Sequence, residues 1–559
     1  MQGNQFGLSV HNREDILRHA EEKHWDLIVI GGGITGAGIL LDARLRGMDV
    51  LLVEQNDFAS GTSSKSTKLI HGGLRYLKQL DFALVREVGR ERSLLHYNAP
   101  HLVEPAPMML PFFKKGSLGK ATAKLGLWLY ETLAGVKMGE RFKTYSALET
   151  KEMEPLLRDG ELLGSAVYTE YQTNDARLTL GVLKTAVQEG AFALNYAGVS
   201  TFIKENGKIC GVNVHDTLSG KDFCMKASVI VNAAGPWVDA LREKDTAVAG
   251  KRLHLTKGVH ITVNHSDFPI RQPVYFDSSD GRMIFAIPRE NYVYIGTTDT
   301  NYGGSLSNIT LEKQDIAYLI QAWNSTFRGK GMQESDIVSG WAGLRPLIHQ
   351  DGKKPSELSR KDEIWESGSG LISLAGGKLT GYRVMAEKAC NKVIERLNQS
   401  GTGTFKPCTT ATKILLGGDF QGFNGWREYA AVQYGEAKEI GASAELIGQW
   451  VKLFGRETEK IIDLAFTIWP EIDAKSEVLT RALIRYLREN EMLHSPLDYY
   501  ERRIAKLGFD IRWCYADFER NKNSWQEELA VNDEEFRLME YAFLSALDAL
   551  REGIHSRET

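Results

Sequence analysis

Gly31, Gly33 and Gly36 stand in the spacing G-x-G-x-x-G, and Glu54 closes a second apolar run soon after. In that spacing the first glycine permits a tight turn. The second lets backbone approach a pyrophosphate, and the third lets helix and strand pack closely. A helix starting there offers free N–H groups and a partial positive charge to a diphosphate. A terminal acid accepts hydrogen bonds from a ribose. The chemistry indicated is dinucleotide binding; the competing reading is an empty structural turn. Glu54 alone does not separate NAD from FAD.

These residues need a strand, a helix and a second strand to hold them. Residues 25–30 (WDLIVI) are a short apolar run, the glycine turn follows, and a helical stretch leads to residues 50–53 (VLLV). Two later segments resemble the first strand. Residues 227–231 (ASVIV) lead into Asn232-Ala233-Ala234-Gly235-Pro236-Trp237, and residues 370–375 (GLISLA) lead into Gly376-Gly377-Lys378-Leu379-Thr380-Gly381. Both read as buried strands ending at small-residue turns. Ligands of open α/β sheets sit at the carboxyl ends of strands, so three distant pieces are expected to converge on one cofactor.

The fold class expected is α/β, a discontinuous Rossmann-like nucleotide domain over 1–100, 160–250 and 345–400. Residues 251–344 alternate short strands with turns, for example YVYIGTT at 292–298. With 101–159 they make an antiparallel-sheet substrate domain. Residues 399–406 (QSGTGTFK) read as a linker, and 401–559 as an all-helical C-terminal domain, with apolar residues at three-four spacing.

A chain of 559 residues is long enough for two or three such domains. Its 68 basic and 72 acidic residues give a net charge of −4, which excludes a broad nucleic-acid footprint. Five scattered cysteines form no metal-ligand spacing, so no metal is expected, and an odd set fits a reducing compartment. The first 24 residues are polar and charged, unlike a signal peptide. The longest uncharged run, residues 27–41, is too short and too rich in glycine to span a bilayer.

A more specific signal lies at residues 62–77 (TSSKSTKLIHGGLRYL). It resembles the signature of the FAD-dependent glycerol-3-phosphate dehydrogenases, respiratory enzymes of the glycine oxidase and D-amino-acid oxidase superfamily. Further matches follow in the family's order: DARL at 175–178, NAAGPW at 232–237, KGVH at 257–260, GTTD at 296–299, GLRP at 343–346 and GGKLT at 376–380. They span roughly residues 25–390. Departures are few. About 24 residues precede the first strand, and no acid-rich calcium loop of the mitochondrial relatives is seen. There is no obvious room for the insertion that the peroxide-producing oxidases of the group carry.

The resemblance implies FAD as cofactor, sn-glycerol 3-phosphate as substrate, dihydroxyacetone phosphate as product and a membrane quinone as electron acceptor. A glycerol-3-phosphate oxidase producing hydrogen peroxide is the alternative. Oxidation at C2 needs a phosphate clamp, a proton acceptor and a dry flavin face. Arginine's planar fork suits phosphate, and the family's basic positions fall on Arg75, Arg345, Arg360 and Lys378, with Tyr76 beside them. A proton acceptor should titrate near neutrality, which favours histidine. Related enzymes favour the histidine at His71; His260 is the runner-up. The flavin is expected on Gly31, Gly33, Gly36 and Glu54, with Thr62, Ser63, Ser64 and Lys68 bonding its diphosphate and ring. Gly235, Gly377 and Leu379 would supply small turns, and Thr298 and Asp299 would shape the pocket.

A quinone acceptor would require contact with the bilayer. Residues 111–143 interleave lysines and arginine with Phe112, Phe113, Leu125, Trp128 and Tyr130. Such a basic, aromatic-bearing segment can lie among lipid headgroups; packing on the protein's own core is the competing reading. The resulting location is cytoplasmic, peripheral to the inner face of the cell membrane. A nucleic-acid-binding flavoprotein and a non-catalytic scaffold are the other classes weighed; the charge balance argues against the first, and His71 with the basic set against the second. Homodimerisation through the helical domain is compatible with the chain, though no pattern argues for it.

Overall fold

The computed structural model describes residues 6–71, 82–114, 116, 120–134, 136, 138–247, 251–348, 362–401, 403–472 and 475–554. Its first sheet runs in the order Glu363–Glu366, Ile372–Ala375, Lys221–Asn232, His24–Ile30, Val50–Val53, Phe192–Leu194. The middle strands are parallel, with Ile28 opposite Ile230 and Leu51. Their apolar runs are buried on both faces, Leu27, Ile28 and Val29 being fully enclosed, as parallel strands covered by helices must be. Helix Ile34–Leu45 packs beside helices Asp175–Gln188 and Tyr382–Gln399. Strand 24–30, the turn, helix 34–45 and strand 50–53 thus form the expected nucleotide unit. An antiparallel ribbon, Ala197–Glu205 with Lys208–Asp216, extends this sheet from Lys221–Asn232.

The second sheet holds Leu253–Asn264 between Tyr292–Gly296 and Ile337–Ile348, all antiparallel. It continues through Met283–Arg289 and Val274–Asp277 to Val103–Phe113 and Leu162–Thr173. The join of Val274 to Met109 is parallel, so the sheet is mixed and not purely antiparallel. Strand Leu162–Thr173, which the expected boundary at 160 gave to the nucleotide domain, belongs here, paired along its length with Val103–Phe113.

Along Leu253–Asn264 side chains alternate between faces. Gly258 and His260 line a cavity, while Val259, Ile261 and Val263 enter a core shared with the C-terminal helices through residues such as Trp450, Tyr486 and Phe543. The helical region, from Trp426–Ala437 to Asp533–Ile554, therefore completes the hydrophobic core of the second sheet.

Buried ion pairs fasten the helical region to the nucleotide layer. Arg503 grips Asp57 with two bonds of 2.6 and 3.0 Å, and Arg502 Nε adds a third at 2.6 Å. Arg177 holds Glu491 through both oxygens at 2.6 and 2.9 Å, with Lys184 at 3.0 Å. These arginines and the lysine keep Glu491 down at about 2 against the cost of burial.

Candidate active site

The glycine turn, the ends of both sheets and the two later small-residue turns enclose a cavity of about 1170 Å³. A site for one small ligand is commonly about 300–1,000 Å³, so the space suits a dinucleotide with a small substrate beside it.

At one end the wall is mostly backbone. Gly31 takes a left-handed φ of +114°. A side-chain carbon on Gly36 would overlap the Gly31 carbonyl oxygen, so only glycine lets the helix start this close to the turn. Gly33 caps helix Ile34–Leu45 without a side-chain cap. Ser63 Oγ accepts the Ile34 N–H at 2.9 Å. Glu54 accepts from the N–H of Gly32 at 2.6 Å and of Asn56 at 2.9 Å. Each of its oxygens keeps a lone pair for a further donor. Burial pushes its carboxyl above the ordinary range, and those two N–H groups oppose the rise.

Gly31, Gly33, Glu54, Thr62 and Ser63 line the cavity. Gly235, Gly377 and Leu379 line it from the other two turns, and Lys378 stands between the last two. An open helix N-terminus, a carboxylate at the second strand's end and a cavity of this size fit a dinucleotide such as FAD.

Gly36, Ser64 and Lys68 do not line the cavity. The Ser64 hydroxyl turns back to Gly61 O at 3.4 Å. Lys68 is buried in an ion pair with Asp175 at 2.7 Å and donates to Ser64 O at 3.0 Å. Its ammonium works on the shape of the wall rather than on its surface. Asp175 also accepts from Ser66 N at 2.9 Å and Ser66 Oγ at 2.7 Å. It thereby sets the segment 66–68 along the cavity.

At the other end the wall is made of side chains. Arg345 donates to Thr297 Oγ1 at 2.8 Å, Thr298 O at 3.1 Å and Asp299 Oδ1 at 3.2 Å. Its guanidinium lies over Gly258, where any side chain would collide with it. His260 stacks on Trp341 with centroids 4.7 Å apart and planes 13° apart. Its Nε2 lies 3.0 Å from Thr67 Oγ1. Burial pushes the imidazole well below its ordinary range, and the charges of Arg345 and Lys68 lower it further; His260 is neutral at neutral pH. His71 lines the same cavity from the end of strand Leu69–Ile70, its carbonyl 3.3 Å from Thr380 Oγ1. Arg345, His260, His71 and Lys378 are thus brought together, whereas Arg75, Tyr76 and Arg360 lie outside the described residues.

Several wall residues, Asp299 apart, stand outside the expected site set. Lys65 lines the cavity and is paired with Glu501 of the helical region. Tyr168 and Glu170 enter from strand Leu162–Thr173. Asp299, within the GTTD segment, is the carboxylate partner of Arg345.

Ala123 and Gly126 of helix Lys120–Ala134 line the cavity as well. The helix buries Leu127 and Tyr130 and exposes Leu125 and Trp128, 63% and 58% accessible, beside exposed Lys124. Part of the segment therefore packs on the core, while an apolar and basic stripe faces outward.

Residues 26–383 match the family model described as FAD dependent oxidoreductase. The chain is 45% identical to the aerobic glycerol-3-phosphate dehydrogenase of Bacillus subtilis (strain 168), over 94% of this chain and 96% of that one. It is also 45% identical to the enzyme of the same name from Staphylococcus aureus (strain MRSA252), over 91% of each. Among solved structures it is similar to the glycerol-3-phosphate dehydrogenase from Bacillus halodurans complexed with FAD. That likeness has a TM-score of 0.84 at 40% identity, and covers 99% of this chain and 100% of that one.

Proposed function

The chain belongs to the FAD dependent oxidoreductase family, among the aerobic glycerol-3-phosphate dehydrogenases, and on that ground we propose that it oxidises sn-glycerol 3-phosphate to dihydroxyacetone phosphate and passes the electrons to a membrane quinone. The observation that carries this reading is the meeting of a dinucleotide cradle with Arg345, Lys378, His71 and His260 in one cavity. FAD, when bound, supplies the acceptor for the C2 hydride. The protein's part is binding, orientation and proton transfer.

Arg345 and Lys378 clamp the phosphate, the arginine held in aim by Asp299 and the Thr297 hydroxyl. His71 takes the proton of the C2 hydroxyl. His260 is the weaker base, because a group held so far below neutrality has little proton affinity there. Its stacking on Trp341 and its bond to Thr67 suit it to orient the hydroxyl. Gly31, Gly33, Gly36, Glu54, Thr62, Ser63, Gly235, Gly377 and Leu379 hold or shape the cofactor's seat, and Ser64 and Lys68 support it from behind.

Among the described residues no helix is long and apolar enough to cross a membrane. Contact with the bilayer would fall to helix Lys120–Ala134, which exposes Leu125, Trp128 and Lys124 and lines the cavity with Ala123 and Gly126. With a cytoplasmic location, such a contact would put the enzyme at the inner face of the cell membrane.

Anaerobic mixing of the flavin-loaded protein with sn-glycerol 3-phosphate tests the reaction. Rapid bleaching of the flavin that a soluble quinone reverses is expected. Fast reoxidation by oxygen with stoichiometric peroxide would make the protein an oxidase, and absence of bleaching would remove the substrate assignment. Trp128→Ala with Leu125→Ser is expected to weaken binding to vesicles of anionic lipid; unchanged binding would clear this helix of the role.

A further inference from the structure

His260 and Thr67 stand together at the cavity wall, but only one of them has a polar atom to offer. His260 is 1% exposed. Its ring stacks on Trp341, and its Cδ2 edge lies against Gly296, where any side chain would overlap it. Its Nδ1 is inaccessible and has no partner among the described residues. Its Nε2 is taken by the Thr67 hydroxyl at 3.0 Å. Neither ring nitrogen is free to bond a ligand in the cavity.

Thr67 is placed differently. It is half-buried and lines the cavity. A hydroxyl has one donor and two acceptor positions, and among the described residues Thr67 Oγ1 uses one of them, on His260. The backbone around it is fastened at each residue. Ser66 O accepts from Trp341 Nε1 at 3.0 Å, Thr67 O accepts from the Tyr294 hydroxyl at 3.1 Å, and Asp175 binds both Ser66 and Lys68. The branched Cβ of threonine stiffens its χ1 as well. Lys68 is left-handed, with φ +56°, so Thr67 turns out of line with strand Leu69–Ile70, which ends at His71.

The direction of the bond follows from the orphan atom. Burial and the nearby charges of Arg345 and Lys68 keep the ring neutral, which leaves it one N–H. A buried N–H without a partner is rarer than an under-satisfied acceptor, so the partnerless Nδ1 carries the lone pair and Nε2 carries the proton. His260 then donates to Thr67 Oγ1, and the threonine's own O–H is left for the cavity.

We propose that Thr67 is a catalytic residue whose O–H donates to the C2 oxygen of the substrate, and that His260 is a positioning residue acting only through it. This rests on the reaction proposed above. The C2 hydroxyl proton goes to His71, negative charge grows on the oxygen it leaves, and a donor already fixed on that oxygen stabilises the change without reorganising. No bond to Thr67 forms or breaks.

Single-turnover reduction of the flavin by sn-glycerol 3-phosphate, followed anaerobically on the FAD-loaded full chain, tests this. Thr67→Val keeps the shape without the O–H. It is expected to slow reduction at saturating substrate at least about thirtyfold, with the substrate Kd within about threefold. Thr67→Ser, which restores the O–H, should return to within about threefold of the unsubstituted enzyme. His260→Gln alone should slow reduction at least about fivefold, yet less than about twofold further in the Thr67→Val background. Should Thr67→Val lose its flavin, Thr67→Ala carries the same expectation. The proposal is overturned by an unchanged reduction rate in the Val and Ala variants. It is equally overturned by a Ser variant as slow as the Val one, which would leave Thr67 a matter of shape, or by losses that multiply in the double variant, which would put His260 on the substrate itself. In those cases the unsubstituted enzyme still bleaches and the reaction stands; a lack of bleaching there removes the reaction and this inference with it.

Discussion

Arg345 with Asp299 and Arg503 with Asp57 are the same pair of groups put to different use. Arg345 and Asp299 meet through one bond of 3.2 Å, with side chains 21% and 12% exposed at a cavity wall. The same fork also serves a hydroxyl and a carbonyl. Arg503 and Asp57 meet through two bonds, both side chains wholly enclosed. A pair open to a cavity can exchange its carboxylate for a phosphate at modest cost. An enclosed pair cannot, because separating it leaves a charge stranded in a medium that solvates it poorly. Access to the cavity, rather than residue type, divides an arginine open to a ligand from a structural one.

Breaking the enclosed pair is expected to have the largest effect. Arg503→Met should lower unfolding stability by about 3–5 kcal/mol, measured by denaturant titration; a loss below about 1 kcal/mol would bring the pair down to the level of exposed ion pairs and dissolve the contrast. Acid tests the same interface more gently. Burial holds His494 at about 3 and His101 at about 3, against 6.5 in the unfolded chain. The unfolded state therefore takes up protons first, so stability is full above pH 6.5 and falls as pH drops towards 3. Between pH 7 and 5 each histidine should cost on the order of 2 kcal/mol, and His494→Gln should flatten that part of a melting-temperature profile. Glu491 adds its own loss only lower, from 4.5 down towards 2.

At the cavity the readout shifts from folding to binding. Arg345→Ala should keep its flavin and melting temperature while KM for sn-glycerol 3-phosphate rises at least about tenfold; an unchanged KM would remove Arg345 from the clamp. Gly258→Ala keeps the charge and only displaces the guanidinium, so a smaller rise, about three- to tenfold, is expected. Equal effects of the two variants would mean that aim matters as much as charge.

The nucleotide unit was legible because its signals are local. Gly31, Gly33, Gly36 and Glu54 lie within one turn, helix and strand, and their spacing dictates the geometry. Arg345, His260 and His71 were reached only through the resemblance of short motifs; nothing in their spacing says that they share a wall. Lys68 shows the limit. Its motif suggested a cofactor contact, yet Asp175, 107 residues away, draws its ammonium out of the cavity surface. Strand Leu162–Thr173 joins the second sheet, not the nucleotide layer expected from residue 160 on, because its partner strand is chosen by tertiary packing and not by its own alternation. Asp57 and Arg503 are 446 positions apart, beyond any pattern a linear reading can use.

That separation also sets an order of events at the ribosome. Asp57 lies just beyond Glu54, behind the cavity wall, but its two arginines arrive some 446 residues later. At about 5–20 residues per second, the nascent chain carries Asp57 without its arginines for roughly 20–90 seconds. The ion pair that fastens the helical region to the nucleotide layer can therefore close only when nearly the whole chain has been made.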